Sequence, residues 1–360
     1  MISMKVAIVT DFKPESGLGR YAFELHKNTK NTKLFYFNSS DKKVNKDIEV
    51  FKKANYPILK TTLNEMFYIP NKLKNLSNYD VVHASNQFLS KINVNTKKVI
   101  TVHDINSLFC SDFHPIINYF HKKIYDKIDN FNQIIAVSKN TKRQLQEYYN
   151  FDKKNIEVIY EGIDKKRFKP RNKIESRSKL KLPLDKKIIL HVGSSLGRKN
   201  VEGVIKIFYK IKKIEKNSIL IRIGDSNRRI DTLINNYNLN NSVIQLNNVS
   251  ENLLALYYNS SDLFVFPSYF EGFGFPILEA MASGVAIIAS NRSSIPELVE
   301  NKEFLLNPNN MNLFAKAAIE ILSNNKLKYE IIQKNLKKAK KFDWKITAKK
   351  TYKIYKRCLS

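Results

Sequence analysis

Short runs of apolar, β-branched residues alternate along the chain with longer amphipathic segments. The short runs are typical of buried strands, and the longer segments are typical of helices that cover a sheet. The first half predicts strands at 5–10, 33–37, 81–83, 98–102, 133–137 and 156–159. The second half predicts strands at 187–192, 218–223, 243–246, 263–266 and 286–289.

Amphipathic segments separate these strands. They predict helices after Gly19, near 115–130 and at 139–149, and then near 200–212, 229–236, 251–259, 276–282, 311–323 and 326–341. Regular alternation of strands and helices predicts parallel sheets with helices on both faces. We therefore expect an α/β fold made of two doubly wound, Rossmann-like domains in tandem.

A charged segment, residues 165–187, divides the two series of elements. It contains Pro170 and Pro183 and shows little apolar periodicity, as linkers do. A length of 360 residues also fits two domains, because a single core rarely grows past about 250–300 residues. We expect an N-terminal domain at 1–172, a C-terminal domain at 173–345, and a last helix, 346–360, that packs back towards the N-terminal domain.

The composition is that of a globular protein, with 43% hydrophobic and 26% charged residues. The formal net charge of +29 is unusual, and its excess of lysine and arginine is spread over both halves of the chain. Two explanations stay open at this point. One is a coding bias towards lysine and asparagine, and the other is a surface attracted to anionic lipid or nucleic acid.

The sequence predicts a cytoplasmic location. No run reaches the roughly 18 apolar residues of a membrane span, and the first residues lack the pattern of a signal peptide. Cys110 and Cys358 show neither metal-ligand spacing nor a disulfide framework. Residues 66–76, MFYIPNKLKNL, mix aromatic residues with lysines, so peripheral binding to an anionic inner membrane face is a further hypothesis. The alternative is a partly buried segment with solvated lysines.

The most informative motif is FVFPSYFEGFGFPILEAMASG, residues 264–284. A strand ends near Pro267, Glu271 and two glycines follow, and Pro276 opens a helix that carries Glu279. Backbone N–H groups and the helix dipole favour a phosphate there, while the carboxylates are suited to accept hydrogen bonds from sugar hydroxyls. The simpler explanation is a helix with ordinary acids near its start.

Three weaker motifs also follow predicted strands. HVGSSLGRKN, residues 191–200, supplies Arg198 and Lys199, which suit a diphosphate or form a solvated basic turn. ESGLGRY, residues 15–21, predicts a loop at Gly17 and Gly19 but is not a G-x-G-x-x-G dinucleotide motif, so an NAD site is disfavoured. ITVHDINS, residues 100–107, ends a strand at His103, which is a cleft residue or a satisfied half-buried histidine.

Residues 264–284 resemble the E-x7-E motif of retaining family 4 glycosyltransferases, which have the GT-B architecture of two Rossmann-like domains facing each other across a cleft. The match continues through SNRSSIPELV, residues 290–299. VIYEGID, residues 158–164, resembles the segment that closes the first domain in the family, with Glu161 where asparagine is usual.

The resemblance implies a role for each matched residue. Glu271 would contact the transferred sugar and Glu279 the ribose, while Arg198 and Lys199 neutralise the leaving diphosphate and His103 lies on the acceptor side. The donor would be bound by Gly17, Gly19, Gly224, Val249, Phe273, Gly274, Phe275 and Glu279. The implied catalytic residues are His103, Arg198, Lys199 and Glu271.

The implied reaction is transfer of a hexose, with mannose favoured, from a GDP- or UDP-sugar to a glycan or lipid-linked acceptor. The anomeric configuration would be retained, and neither a metal nor another cofactor is expected. Such a reaction serves polysaccharide or glycoconjugate synthesis, and no nucleic-acid partner is expected. Two alternatives remain: a nucleotide-sugar epimerase of the same fold, and a basic membrane- or nucleic-acid-binding protein with a silent site.

Overall fold

The computed structural model describes residues 4–38, 47–56, 60–74, 76–109, 112, 114–149, 151 and 156–360. It divides the chain into two compact units. The first comprises Met1–Gly162 together with Trp344–Ser360, and the second comprises Ile163–Asp343.

The first unit contains a parallel sheet with, in its described residues, seven strands. They are β1 (Val6–Thr10), β2 (Thr32–Asn38), β3 (Ile48–Lys52), β4 (Val81–Ala84), β5 (Lys97–Val102), β6 (Gln133–Ala136) and β7 (Ile156–Val158), in the spatial order β3-β2-β1-β4-β5-β6-β7. Strand β1 is buried along its length, as its sequence VAIVT predicts for a central strand covered on both faces.

The second unit repeats this arrangement with six described strands. They are β8 (Lys187–Val192), β9 (Ser218–Ile223), β10 (Val243–Leu246), β11 (Leu263–Phe266), β12 (Ile287–Ser290) and β13 (Leu305–Leu306), in the order β10-β9-β8-β11-β12-β13. All pairings in both sheets are parallel. The predicted α/β class with two doubly wound domains is therefore confirmed.

Helices cover both sheets. In the first unit they are α1 (Gly17–Asn28), α2 (Lys60–Leu63), α3 (Ile69–Lys72), α4 (Pro115–Tyr125) and α5 (Lys139–Tyr149), with a π-helical turn at Asn64–Tyr68 between α2 and α3. In the second they are α6 (Lys173–Lys179), α7 (Val201–Ile214), α8 (Arg228–Asn236), α9 (Glu251–Ser260), α10 (Phe275–Ala282), α11 (Ile295–Leu298), α12 (Met311–Ser323) and α13 (Asn325–Ala339). The last helix, α14 (Trp344–Leu359), belongs to the first unit.

The strand order creates one topological switch point in each sheet, between β1 and β4 and between β8 and β11. At such a point the connections leave the sheet towards opposite faces, which opens a crevice at the carboxyl ends of the two strands. The residues that follow β8 and β11 are those of the motifs 191–200 and 264–284. The fold therefore brings the two most informative motifs of the second unit to one place.

Helix α14 packs within the first unit through buried polar contacts. The Tyr355 hydroxyl lies 2.6 Å from His83 Nδ1, and Thr347 Oγ1 donates to the Tyr160 carbonyl at 2.8 Å. These contacts tie the last helix to β4 and to the segment after β7. The first unit ends at Gly162, before the boundary expected at 172, and resumes at Trp344, close to the helix expected at 346–360.

The segment 165–187 is a folded part of the second unit, so the prediction of a linker is wrong. It contains α6, whose Arg177 is only 4% exposed. Arg177 donates to the carbonyls of Ser260 and Lys186 at 3.0 Å each and to Asp262 Oδ2 at 2.7 Å. The charged sequence misled the prediction because its charge lies inside the unit, paired with an acid far along the chain.

Helix α1 begins earlier than predicted. Gly17 and Gly19 lie in its first turn, where a loop was expected, because Ser16 caps the helix by accepting a hydrogen bond from the Gly19 amide at 3.1 Å. An added Cβ at Gly19 would lie 1.9 Å from the Lys13 carbonyl oxygen. The glycine therefore serves close packing of the helix start against the preceding turn.

No helix in the described part of the chain is long and apolar enough to cross a membrane. Cys358 is a buried free thiol, and Cys110 lies outside the described residues.

Substituting Arg177 by Met should lower the free energy of unfolding by about 3–5 kcal/mol, because it breaks the buried ion pair with Asp262 and removes the guanidinium donor from several carbonyls. Urea unfolding measures the loss. The matched control is Lys179→Met, an exposed site on the same helix that should change stability little. Equal stabilities of the two variants would contradict the assignment of Arg177 as a buried tie.

Candidate active site

The loop after β8 is fixed by Asn200. A short 3-10 turn, Gly197–Lys199, ends at this residue, which has a left-handed φ of 53° and caps α7. Its side chain accepts from the Gly203 amide at 3.2 Å and donates to the carbonyls of Pro267 and Pro308 at 3.0 and 3.1 Å. Asn200 thus joins the loop after β8 to the loop after β11. An asparagine directly before an apolar helical run is an N-cap signal that could have pointed to it.

The two motifs meet at a buried ion pair. Lys199 Nζ lies 2.7 and 2.8 Å from the two carboxylate oxygens of Glu271, and the residues are 9% and 5% exposed. Arg198 Nη1 lies 3.7 Å from Glu271 Oε2, and the Arg198 carbonyl accepts from the Tyr269 amide at 2.8 Å. We call Arg198, Lys199 and Glu271 the cation cluster, because its two cations face one carboxylate.

The Glu271 backbone is held by two serines. Ser293 Oγ and Ser294 Oγ donate to the Glu271 carbonyl at 2.5 and 2.9 Å, and Ser294 Oγ also lies 2.9 Å from the Phe273 carbonyl. These serines come from SNRSSIPELV, but no role in holding Glu271 was predicted for them. Hydroxyls that donate to carbonyls 21 to 23 residues away cannot be found from local spacing.

Helix α10 begins where the motif predicts. Phe275 is its first residue, and Gly274 is its N-cap. The φ of Gly274 is 109°, a backbone conformation that residues other than glycine rarely adopt. The rings of Phe273 and Phe275 meet edge to face at 5.5 Å between centroids. Glu279 on this helix is 3% exposed, and its Oε2 accepts from the Tyr258 hydroxyl at 3.0 Å. Tyr258, on α9, was not predicted as a site residue.

The ends of β8 and β9 touch at two glycines. Gly224 has a φ of 143°, and an added Cβ there would lie 2.0 Å from the Gly193 carbonyl oxygen. Arg222 is fully buried in β9 and donates to the carbonyls of Gly224 and Gly193 at 2.9 and 3.3 Å, and also to that of Asp225. Its signal was one charged residue inside the apolar run SILIRI.

Below the loop after β8 lies His191, which is fully buried. Its Nδ1 lies 3.0 Å from the Val265 carbonyl, and burial lowers its pKa to about 3. A Cβ added at Gly193 would lie 3.1 Å from His191 Nε2, so the ring forms the floor of the loop that leads to Lys199. The ring is neutral at physiological pH.

Two predicted residues lie elsewhere. Val249 is half-buried in the loop after β10, which pairs with β9. His103 is in the first unit, after β5, and its ring contacts Tyr21 of α1 edge-on at 5.1 Å between centroids. The structure therefore associates His103 with the helix that Gly17 and Gly19 begin. Among the described residues, no group of three or more His, Cys, Asp or Glu side chains is arranged to hold a metal ion.

Family profiles match both units. The profile described as Glycosyl transferases group 1 matches residues 172–339, and the profile described as Glycosyltransferase Family 4 matches residues 16–167. The chain belongs to the family 4 glycosyltransferases.

Individual relatives agree with this assignment. This glycosyltransferase is 27% identical over 274 residues to O-antigen chain mannosyltransferase B of Escherichia coli. The match covers 72% of this chain and 70% of that protein. Sucrose-phosphate synthase from Thermosynechococcus elongatus superposes with a TM-score of 0.85 at 20% identity, covering 99% of each chain. HepE of Anabaena, in complex with UDP and glucose, superposes with a TM-score of 0.82 at 17% identity, covering 99% of this chain and 100% of that chain. The structural likenesses confirm the GT-B fold.

His191 should make the stability of this glycosyltransferase depend on pH. The unfolded chain binds a proton at this residue below its ordinary pKa of 6.5, whereas the folded chain does so only near pH 3. The free energy of unfolding should therefore fall by up to about 1.4 kcal/mol per pH unit as the pH drops through this window. His191→Asn keeps a donor for Val265 and should make the slope shallower, while the buried His83 keeps its own contribution over the same window.

Urea unfolding between pH 6.5 and pH 4 measures the effect, within the window that the two pKa values define. The control is His114→Asn, an exposed site in the first unit, which should leave the slope as it is. A slope equal to that of the unaltered protein in His191→Asn would show that His191 is already charged in the folded state.

Proposed function

We propose that this glycosyltransferase transfers a hexose, with mannose favoured, from a nucleotide-diphosphate sugar and retains the anomeric configuration. The observation that carries the proposal is the cation cluster at the switch point of the second unit. Two cations face one carboxylate there, which leaves an excess of positive charge beside the start of α10. An anion such as a diphosphate is the ligand that this charge favours.

The cations would act on the leaving group. When the bond between the sugar C1 and the diphosphate oxygen breaks, negative charge builds on the diphosphate, and fixed cations and backbone N–H groups stabilise it. Lys199 is suited to this task because Glu271 already holds its ammonium group at 2.7 Å, so little reorganisation is needed. Arg198 is more exposed and offers a second, forked donor set.

The acids would bind hydroxyl groups. Glu271 would accept hydrogen bonds from the transferred sugar, and Glu279 would accept them from the ribose. The hydrogen bond from Tyr258 to Glu279 fixes one oxygen of that carboxylate and supports its role as an acceptor for a ligand hydroxyl. The backbone around Gly274 would approach the sugar and phosphate, since its positive φ turns the chain at the start of α10.

The sugar and acceptor rest on similarity. The likeness to O-antigen chain mannosyltransferase B supports mannose as the sugar and a glycan or lipid-linked molecule as the acceptor. The structure of HepE contains UDP and glucose, so a UDP-hexose is a second candidate donor for this chain. Retention of configuration rests on the E-x7-E motif formed by Glu271 and Glu279.

A thermal-shift screen against UDP, GDP, ADP and their sugar conjugates, without added metal, should single out one nucleotide. A ligand at 100 times its Kd stabilises the folded state by about 2.7 kcal/mol. The unaltered protein should bind the nucleoside diphosphate more tightly than the monophosphate. Arg198→Met should reduce this ratio of affinities about tenfold, because it removes a donor to the second phosphate. Glu279→Gln should weaken the binding of both the diphosphate and the monophosphate.

The matched control for these variants is Glu303→Gln, an exposed acid of the same unit. With the donor identified, proton NMR of the first product should show the donor's anomeric configuration. An inverted anomer would contradict retention, and conversion of the free nucleotide sugar to its epimer would favour the epimerase alternative. No shift with any nucleotide, together with tight binding to nucleic acid or anionic vesicles, would favour a silent site.

We also propose that the first unit binds an anionic membrane face. Phe67 and Tyr119 are 52% and 58% exposed, and a lysine lies over each of their rings. Lys91 Nζ lies 5.6 Å from the Phe67 ring centroid, and Lys123 Nζ lies 5.7 Å from that of Tyr119. We call these four residues the aromatic–lysine patch. Burial lowers the pKa of Lys91, and the positive charges of Lys127 and Lys123 lower it further.

This patch differs from the predicted segment. In 66–76 the aliphatic residues Ile69, Leu73 and Leu76 are core residues, and Phe67 is the large side chain that points outward, while Asn75 lies outside the described residues. The partner residues come from other parts of the chain. Aromatic rings suit the interface of a bilayer, and each lysine near an anionic surface contributes about 1 kcal/mol.

Flotation with vesicles of phosphatidylcholine, with and without phosphatidylglycerol, measures this interaction. We expect binding that needs phosphatidylglycerol, weakens with salt, and falls in the double variant Phe67→Ser and Tyr119→Ser. The control is Tyr329→Ser, which removes a 63% exposed aromatic from the second unit. Equal flotation with and without phosphatidylglycerol, or equal loss in the control, would contradict the proposal.

A further inference from the structure

Four of the described histidines are buried, among them His83, His103 and His191, whose partners differ in chemistry. His83 and His191 are 0% exposed, and His103 is 5% exposed. A buried imidazole ring takes the protonation state that its partners require, because an unsatisfied or unpaired charged form is costly inside a protein. The partners of each ring can therefore be used to assign its charge.

His83 has partners that suit a neutral ring. Its Nδ1 and Nε2 lie 2.6 and 2.8 Å from the hydroxyls of Tyr355 and Thr101. A hydroxyl can donate or accept, so one ring nitrogen can stay without a proton. Burial lowers the pKa of His83 to about 3, and His103 adds to that effect as a neighbouring positive charge.

His103 meets acceptors at both ring nitrogens. Its Nε2 lies 2.9 Å from the Ser85 carbonyl oxygen, which can only accept, so this nitrogen carries a proton. Its Nδ1 lies 3.0 Å from Glu161 Oε1. A carboxylate at that position favours a proton on Nδ1 as well, and a ring with protons on both nitrogens is an imidazolium.

Glu161 in turn needs a positive charge. Its side chain is 1% exposed, and Oε1 has no well-directed hydrogen bond in the described structure, so the close approach to His103 is a charge contact more than a directed bond. A buried carboxylate without a cation would be strongly disfavoured. Among the described ionisable side chains beside His103, Tyr21 cannot carry a positive charge, and burial lowers the pKa of His83, so that neither supplies this cation.

We propose that Glu161 is a positioning residue that keeps His103 doubly protonated at the carboxyl edge of the first sheet. The contacts join loops after three strands, since Ser85 follows β4, His103 follows β5 and Glu161 follows β7. Thr141 adds a third contact by donating to the His103 carbonyl at 3.0 Å. An asparagine at position 161, which the family resemblance led us to expect, would carry no charge to hold the imidazolium.

The catalytic consequence rests on the proposed function, in which His103 lies on the acceptor side. A fixed positive charge there would favour the negative charge that develops during sugar transfer. The charge state of His103 is independent of that role and can be measured without any substrate.

NMR of the protein with ¹⁵N-labelled histidine tests the charge directly. At pH 7 both ring nitrogens of His103 should carry protons, while His83 and His191 should each show one unprotonated nitrogen. In Glu161→Gln the Nδ1 of His103 should lose its proton. The spectrum of His103→Asn assigns the signals, and the control is Glu157→Gln, a more exposed acid of β7.

A neutral His103 in the unaltered protein would overturn the proposal, whatever the variants do. An imidazolium that persists in Glu161→Gln would overturn it as well, because Glu161 would then not be what holds the proton. The unaltered protein decides the first point even if a variant fails to fold.

Kinetics tests the consequence separately. Glu161→Gln should lower kcat for sugar transfer by about tenfold to 100-fold while the thermal shift with the nucleotide stays unchanged, because the nucleotide is assigned to the second unit. Unchanged kcat with a neutral His103 would show that the charge is not used in the reaction. If the unaltered protein shows no thermal shift with any nucleotide, the proposed function itself is wrong.

Discussion

The ion pair between Lys199 and Glu271 is the interaction on which the second unit's site depends. It spans the switch point of the sheet, since one partner follows β8 and the other follows β11. A buried lysine and a buried glutamate would each be costly alone, so each fixes the other's loop. Asn200 and Ser294 then hold the backbone on either side of the pair. The site is thus kept in shape by contacts between its own loops.

Much of this arrangement could be predicted from local patterns. The second-unit strands at 187–192, 218–223, 243–246 and 263–266 have the predicted bounds, because buried parallel strands are continuous apolar runs between turn residues. The partly exposed edge strand β3 was missed because its run, IEVFK, carries charge and little burial. Helix α10 was predicted well because proline and glycine mark a helix start by their backbone preferences.

The polar residues that connect distant segments could not be predicted in this way. Arg177, Arg222 and Glu161 are charged residues that local rules place on a surface or in a turn. Each is nevertheless buried, and its partners include acceptors or a histidine from another part of the chain. Their roles depend on which strands are neighbours, and the spatial order of strands differs from their order in the sequence. The spacing of hydrophobic residues indicates whether a segment is a helix or a strand, but it does not indicate which other elements pack against that segment.

The contact between Gly193 and Gly224 has a consequence for how this protein can change. The two loop ends are so close that any residue other than glycine at position 224 would put a carbon 2.0 Å from a carbonyl oxygen. Every amino-acid replacement adds that carbon, so no conservative choice exists. The spacing between the loops after β8 and β9 is therefore a fixed dimension of the site, and new ligand preferences must arise from side chains around it.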